Sequence, residues 1–213
     1  MICFAASFYF KTLLVDSRIS LSFTKKFRII KPEVRVLGVD DGKFIPHTQG
    51  TVVAVGVVFR GGYSIDGVMH TNIAIDGFDA TSKFASMINT SPHRKQLRLV
   101  MLNGITFAGF NIVNIKGLYA ETGLPVLALT HKKPDLESVH EALKKLPNSE
   151  ERWKLIVEAG EIHEIINNGA KIYLELAGIS LEDAQKIIRL TSTSGCLPEP
   201  LRVAHLIASG ISP

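Results

Sequence analysis

Asp40 and Asp41 stand side by side where an apolar run, Val34–Val39, is stopped by Asp40-Asp41-Gly42. Carboxylates at a strand end are the oxygen donors that hard divalent cations take, and Asp-Gly is equally a common turn. The residues alone leave both readings open. Asp79 opens a segment with helical spacing through Phe84, Met87 and Ile88. There it reads as an N-cap, a role worth about 1 kcal/mol that needs no metal. Asn103-Gly104 closes another apolar run and reads as a tight turn, as do Asp66 and Asp76, each followed by glycine. His131-Lys132-Lys133 is a compact basic cluster, suited to phosphate contact or to a solvated loop.

Other residue types exclude chemistry. His93, His163 and His205 share no spacing that makes a metal site, and His205, between apolar neighbours, reads as a structural histidine. Arg202 and Glu199 stand at i, i+3 and read as a local pair. Cys3 and Cys196 lie near opposite ends with no ligand spacing, so a disulfide framework or zinc site is not expected and a reducing, cytoplasmic setting is. No Gly-rich phosphate loop, Ser–His–Asp set or dinucleotide fingerprint occurs.

The elements that must position these residues follow from periodicity. Val34–Val39, Thr51–Phe59 and Tyr63–Ile75 read as three strands joined by short connections, hence antiparallel, with a break or bulge at Asp66-Gly67. The rhythm then alternates: helix over Asp79–Asn89, strand over Leu97–Leu102, helix over Phe110–Thr122 and strand over Pro125–Leu129. Such alternation implies parallel strands with crossover helices. Amphipathic helices are expected over Leu136–Leu146 and Glu150–Ile166, a last strand over Lys171–Leu176, and helices over Ser180–Leu190 and Glu199–Ala208. Pro198 stands just before the last helix and Pro200 in its first turn, where a missing N–H costs nothing.

The chain has 213 residues, 46% of them hydrophobic, enough for one medium domain with a real core. Lys and Arg number 24 against 20 acids, a net charge of +4 that is compatible with nucleic-acid contact without arguing for it. The apolar start is interrupted by Lys11 and Asp16, short of a bilayer span, so no membrane segment is expected. Residues 1–30 read as an extension, either an extra strand or the product of a misassigned start, ahead of a domain spanning 31–213. Ile19, Leu21 and Phe23 alternate with Ser20, Ser22 and Thr24, which favours the strand.

Ile179-Ser-Leu-Glu-Asp-Ala-Gln followed by Leu197-Pro-Glu-Pro-Leu-Arg-Val-Ala-His resembles the C-terminal helix pair of endonuclease V. Gly123-Leu124-Pro125 and Val36–Asp40 resemble that family's segment entering a short strand and its first catalytic strand. The longer blocks RVLGVDDG, DGFDAT, QLRLVMLNGITFAGFN and PEPLRVAHLIA, in this order, resemble an uncharacterised, mainly archaeal family called domain of unknown function ninety-nine, over Lys31 to Ile211.

The resemblance implies an α/β, ribonuclease-H-like mixed sheet: three antiparallel strands followed by parallel β-α units, flanked by helices. It implies Mg²⁺ or Mn²⁺ held by carboxylates from neighbouring strand ends. The first acid falls on Asp40, with Asp41 as a substitute or supporting ligand; the endonuclease V glutamate falls on Asp79, one methylene shorter. The third acid falls on Asn103, which brings an oxygen but no charge. The catalytic set implied is Asp40, Asp79 and Asn103, and the metal set Asp40, Asp41 and Asp79. The lysine after the short strand falls on His131, with Lys132 and Lys133 beside it, so these three are the nucleic-acid-binding candidates. The family's late histidine falls near Ala177-Gly178 and is missing, and Met69-His70-Thr71-Asn72 lacks its strand-opening wedge. The expected partner is DNA or RNA, processed or merely bound at a partly degenerate metal-carboxylate site. The alternative is a non-catalytic scaffold for a protein or small molecule.

Overall fold

The computed structural model describes residues 27–46 and 48–212, so the extension expected over 1–30 lies almost wholly outside the described residues. Three strands open the fold: β1 (Arg35–Asp41), β2 (Thr51–Arg60) and β3 (Ser64–Ala74), paired antiparallel in sequence order. Their β-branched residues suit a pleated, packed surface. The register slips where Val58 pairs with Gly67 and Phe59 with Ile65, leaving Asp66 as the extra residue of the expected bulge. The bulge aims Asp66 at Arg60 Nη2 (2.6 Å) and Arg35 Nε (2.7 Å), and these cations, Arg60 foremost, hold its carboxyl down to about 2.

Helix α1 (Ala80–Thr90) leads into β4 (Leu99–Asn103), which lies parallel to β1. A small hairpin follows, β5 (Thr106–Phe107) with β6 (Asn111–Ile112), then α2 (Ile115–Thr122) and β7 (Val126–Thr130), parallel to β4. The helix expected over Phe110–Thr122 therefore starts only at Ile115, with Asn111 and Ile112 in the hairpin. Asn114 sets the boundary: its Oδ1 accepts from Gly117 N at 2.8 Å, capping α2.

Two helices, α3 (Leu136–Leu143) and α4 (Ser149–Ala159), precede an antiparallel pair, β8 (His163–Asn167) and β9 (Ala170–Ala177). The helix expected over Glu150–Ile166 stops short because Gly160 takes φ of 108°, outside any helix. β9 pairs antiparallel with β7, so the parallel run ends there. Helices α5 (Leu181–Thr191) and α6 (Glu199–Ile211) close the chain.

Among the described residues the main sheet has seven strands in the order β3-β2-β1-β4-β7-β9-β8. Strand alternation divides the core between its faces. On one face Leu37, Val39, Val100, Leu102 and Val126 pack with Phe84, Ile88 and Leu118 of α1 and α2. On the other, Val36, Val55, Leu99, Met101 and Leu127 pack with Ile187, Leu201 and Ala204 of α5 and α6. Helix α6 can lie close on β1 because Gly38 has no side chain: a Cβ there would stand 2.3 Å from the Pro200 carbonyl carbon. Among the described residues no helix is long and apolar enough to cross a membrane.

Candidate active site

Parallel strands carry their C-terminal ends to one rim. β1 ends there with Asp40 and Asp41, β4 with Asn103, and β7 with Thr130 ahead of His131. β3, antiparallel to β2, also ends at this rim and delivers the segment 75–79. The catalytic, metal and nucleic-acid candidates singled out in the sequence thus stand along one edge of the sheet, but in separate networks.

Asp40 is the centre of the first network. Its side chain is buried, and its carboxylate takes three partners: Asn103 Nδ2 donates to Oδ2 at 3.0 Å, His205 Nδ1 lies 2.9 Å from the same oxygen, and Asp41 N donates to Oδ1 at 3.0 Å. Burial still dominates and raises its pKa against those three partners. Asp41, next along the strand, accepts from Ala108 N at 2.6 Å through its Oδ2, with its carboxyl still close enough to that of Asp40 for the two to interact. Burial first, and then the charge of Asp40, push the Asp41 carboxyl up to about 6. Two neighbouring carboxylates held above their ordinary range are a site short of positive charge.

His205 was expected to be a structural histidine, but its side chain is 60% exposed and meets Asp40. The reason is a matching of repeats. Pro200 sits over Gly38, and five residues along a helix advance about 7.5 Å while two along a strand advance about 6.8 Å. His205 therefore arrives beside Asp40. The signal was Gly38, two residues before the acid, because it lets α6 touch β1.

Asp79 belongs to a second network. It holds the N-cap position of α1 without making a side-chain cap; its Oδ1 accepts instead from Ala74 N (3.0 Å) and Asn111 Nδ2 (2.7 Å). Asn111 in turn accepts from Ala80 N at 3.0 Å. A short aspartate folds back onto its own loop, so the structure joins Asp40, Asp41 and Asn103 and leaves Asp79 with Asn111. His131, Lys132 and Lys133 are all exposed just beyond β7, with His131 Nδ1 3.5 Å from Cys196 Sγ.

The fit to a divalent cation rests on Asp40 and Asp41. Among the described residues no group of three or more His, Cys, Asp or Glu side chains could hold a metal ion. Mg²⁺, however, is commonly held by one or two carboxylates with water and substrate phosphate completing its shell. Two desolvated carboxylates close enough to interact would supply the protein's part of such a shell.

The comparisons agree with this architecture. A UPF0215 protein of Methanosarcina mazei is 51% identical over 185 residues, 86% of this chain and 93% of its own length. The crystal structure of a protein of unknown function from Archaeoglobus fulgidus superposes with a TM-score of 0.75 at 41% identity, covering 83% of this chain and 97% of that one. Endonuclease V of Ciona intestinalis, solved with a 24mer DNA containing an inosine followed by a ribo-adenosine, superposes with a TM-score of 0.51 at 15% identity, covering 80% of this chain and 82% of its own. That likeness is one of fold, the ribonuclease-H-like mixed sheet. The family description endonuclease dU matches residues 32–212, and the chain belongs to that family.

Proposed function

We propose that this protein is a divalent-metal-dependent endonuclease that acts on DNA, with deoxyuridine as the feature its family's description suggests. The observation that carries the reading is the Asp40 cluster: a buried carboxylate at the end of β1, touched by Asn103 from β4 and His205 from α6, with Asp41 beside it. Asp40 and Asp41 would hold the ion and Asn103 would lend its amide oxygen. A bound Mg²⁺ or Mn²⁺ supplies charge stabilisation for phosphodiester hydrolysis. His205, exposed on its solvent side, fixes Asp40 and faces the position of an incoming phosphate. Asp79 acts at one remove, by fixing the segment before α1 through Ala74 and Asn111. His131, Lys132 and Lys133 lie along the same rim, where a phosphate backbone would run.

The test uses labelled single- and double-stranded oligonucleotides carrying one deoxyuridine, against thymidine controls, with Mg²⁺ or Mn²⁺. Wild type is expected to cut the deoxyuridine strand and Asp40→Asn to lose at least about 100-fold, since even outer partners of a metal site cost 10–100-fold. Cutting by Asp40→Asn at the wild-type rate, with calorimetric Mn²⁺ binding intact, would overturn the assignment. DNA bound but left whole by the wild type in both metals would leave a binding module.

A further inference from the structure

Resting on the reading above as a DNA-processing protein, we propose that Phe78 is a stacking platform for an unpaired base of single-stranded DNA beside the Asp40 cluster. Phe78 is 42% exposed, large and apolar, and it lies on the segment between β3 and α1, immediately before Asp79. One face of its ring is occupied. The guanidinium carbon of Arg152, from α4, lies 4.0 Å from the ring centroid. Arg152 is itself only 1% exposed, and every nitrogen of its head donates to a backbone carbonyl: Nε to Pro147 at 3.2 Å, Nη1 to Gly77 at 3.0 Å and to Phe110, and Nη2 to Asp76.

A buried cation is costly to desolvate, and this one holds the segment 76–78 through the Asp76 and Gly77 carbonyls. Two further features hold the same segment. Asp76 takes the left-handed φ of 49° while its Oδ1 accepts from Phe110 N at 2.8 Å. At Gly77 a Cβ would stand 2.6 Å from that of Ala74. The ring is thus mounted on a fixed segment, with 42% of the residue open to solvent.

Its place relative to the acids is set by the β5–β6 hairpin. Ala108 N donates to Asp41, and the Ala108 carbonyl accepts from Asp76 N at 2.9 Å. Phe78 and the acid pair are therefore tied to one short piece of backbone. Bases stack on aromatic faces without sequence preference, and a ring already immobilised loses little entropy on binding. A ring serving only to roof Arg152 would leave DNA affinity unchanged when replaced by leucine, and that difference makes the idea testable.

The measurement is anisotropy of a labelled single-stranded oligonucleotide, without metal, over a salt series, on wild type, Phe78→Leu and Phe78→Tyr. Phe78→Leu is expected to weaken binding about 5- to 100-fold, the value of one stacked base, with Phe78→Tyr close to wild type. The slope of log K against log salt should not change, because no phosphate contact is lost. The midpoint of Phe78→Leu should fall by about 1–8 °C as the contact with Arg152 is lost, leaving the protein folded at the assay temperature. Wild-type affinity in Phe78→Leu, or no recovery with Phe78→Tyr, overturns the stacking role while leaving the nuclease reading standing. No binding of any nucleic acid by wild type at low salt, with Mg²⁺ or Mn²⁺ as well as without, overturns both.

Discussion

Buried carboxylates in this fold come in two kinds, and the difference lies in their partners. Asp40 has three, all placed by other elements. Glu175, in β9 and 6% exposed, accepts no hydrogen bond from the described residues, and burial alone pushes its carboxyl up to about 7. An acid whose folded pKa lies above its unfolded one keeps its proton longer in the folded state. Folding is therefore penalised progressively as pH rises from about 4.5 through about 7, and fully above that. Glu175→Gln should stabilise the protein at pH 8 by roughly 1 to 3 kcal/mol and leave it unchanged near pH 4. Chemical denaturation at both pH values checks this, and an equal gain at both would show that the carboxylate is not the cause. Neither Glu175 nor His205 was legible in the sequence for a shared reason. Each depends on which face of a strand or helix is covered by an element distant in the chain, and a lone Glu or His carries no mark of that.

At the scale of elements, the decisive contact is α6 on β1. Gly38→Ala would place a methyl group 2.3 Å from the Pro200 carbonyl carbon and oxygen and 2.7 Å from Leu201 N, all backbone atoms that cannot swing aside. The helix must shift, at a cost of about 1–3 kcal/mol, or a fall of roughly 2–12 °C in Tm. The same shift carries His205 away from Asp40. Cleavage should then fall further than the population of folded protein does, a comparison made by assaying well below the new midpoint. Activity tracking stability alone would show that the helix has no positioning role. The strands β1 to β4 and β7 and helices α1, α5 and α6 were all legible, because each is long enough for its apolar period to repeat. What escaped were the two-residue strands Thr106–Phe107 and Asn111–Ile112, which have no period, and His163–Asn167, whose apolar pair continues the spacing of the helix before it. At the site, Asp40 with Asn103 was legible through the strand ends. The folding back of Asp79 was not, because it depends on Asn111 from the hairpin that periodicity missed.

The whole molecule has two rims, and both carry cations. At the rim opposite the acids, Lys31, Arg35, Lys95 and Arg98, with Glu33 among them, line a cavity of about 430 Å³. Two of those charges already have local partners: Arg35 is bound to Asp66, and Arg98 Nη1 donates to the Lys95 carbonyl at 3.2 Å. At the acid rim Lys132 and Lys133 stand exposed beyond β7, next in the sheet to the strand that carries Asn103. A net charge of only +4 cannot draw DNA to every side, so the rim that binds must be identifiable from salt dependence. Each phosphate neutralised on a single strand contributes about 0.7 to the slope of log K against log salt. Lys132→Ala with Lys133→Ala should therefore reduce that slope by up to about 1.4, with little change in Tm, whereas Lys95→Ala with Arg98→Ala should leave it near the wild-type value. The reverse pattern would move the nucleic acid to the far edge of the sheet, away from Asp40, and the carboxylates would then have no phosphate to act on.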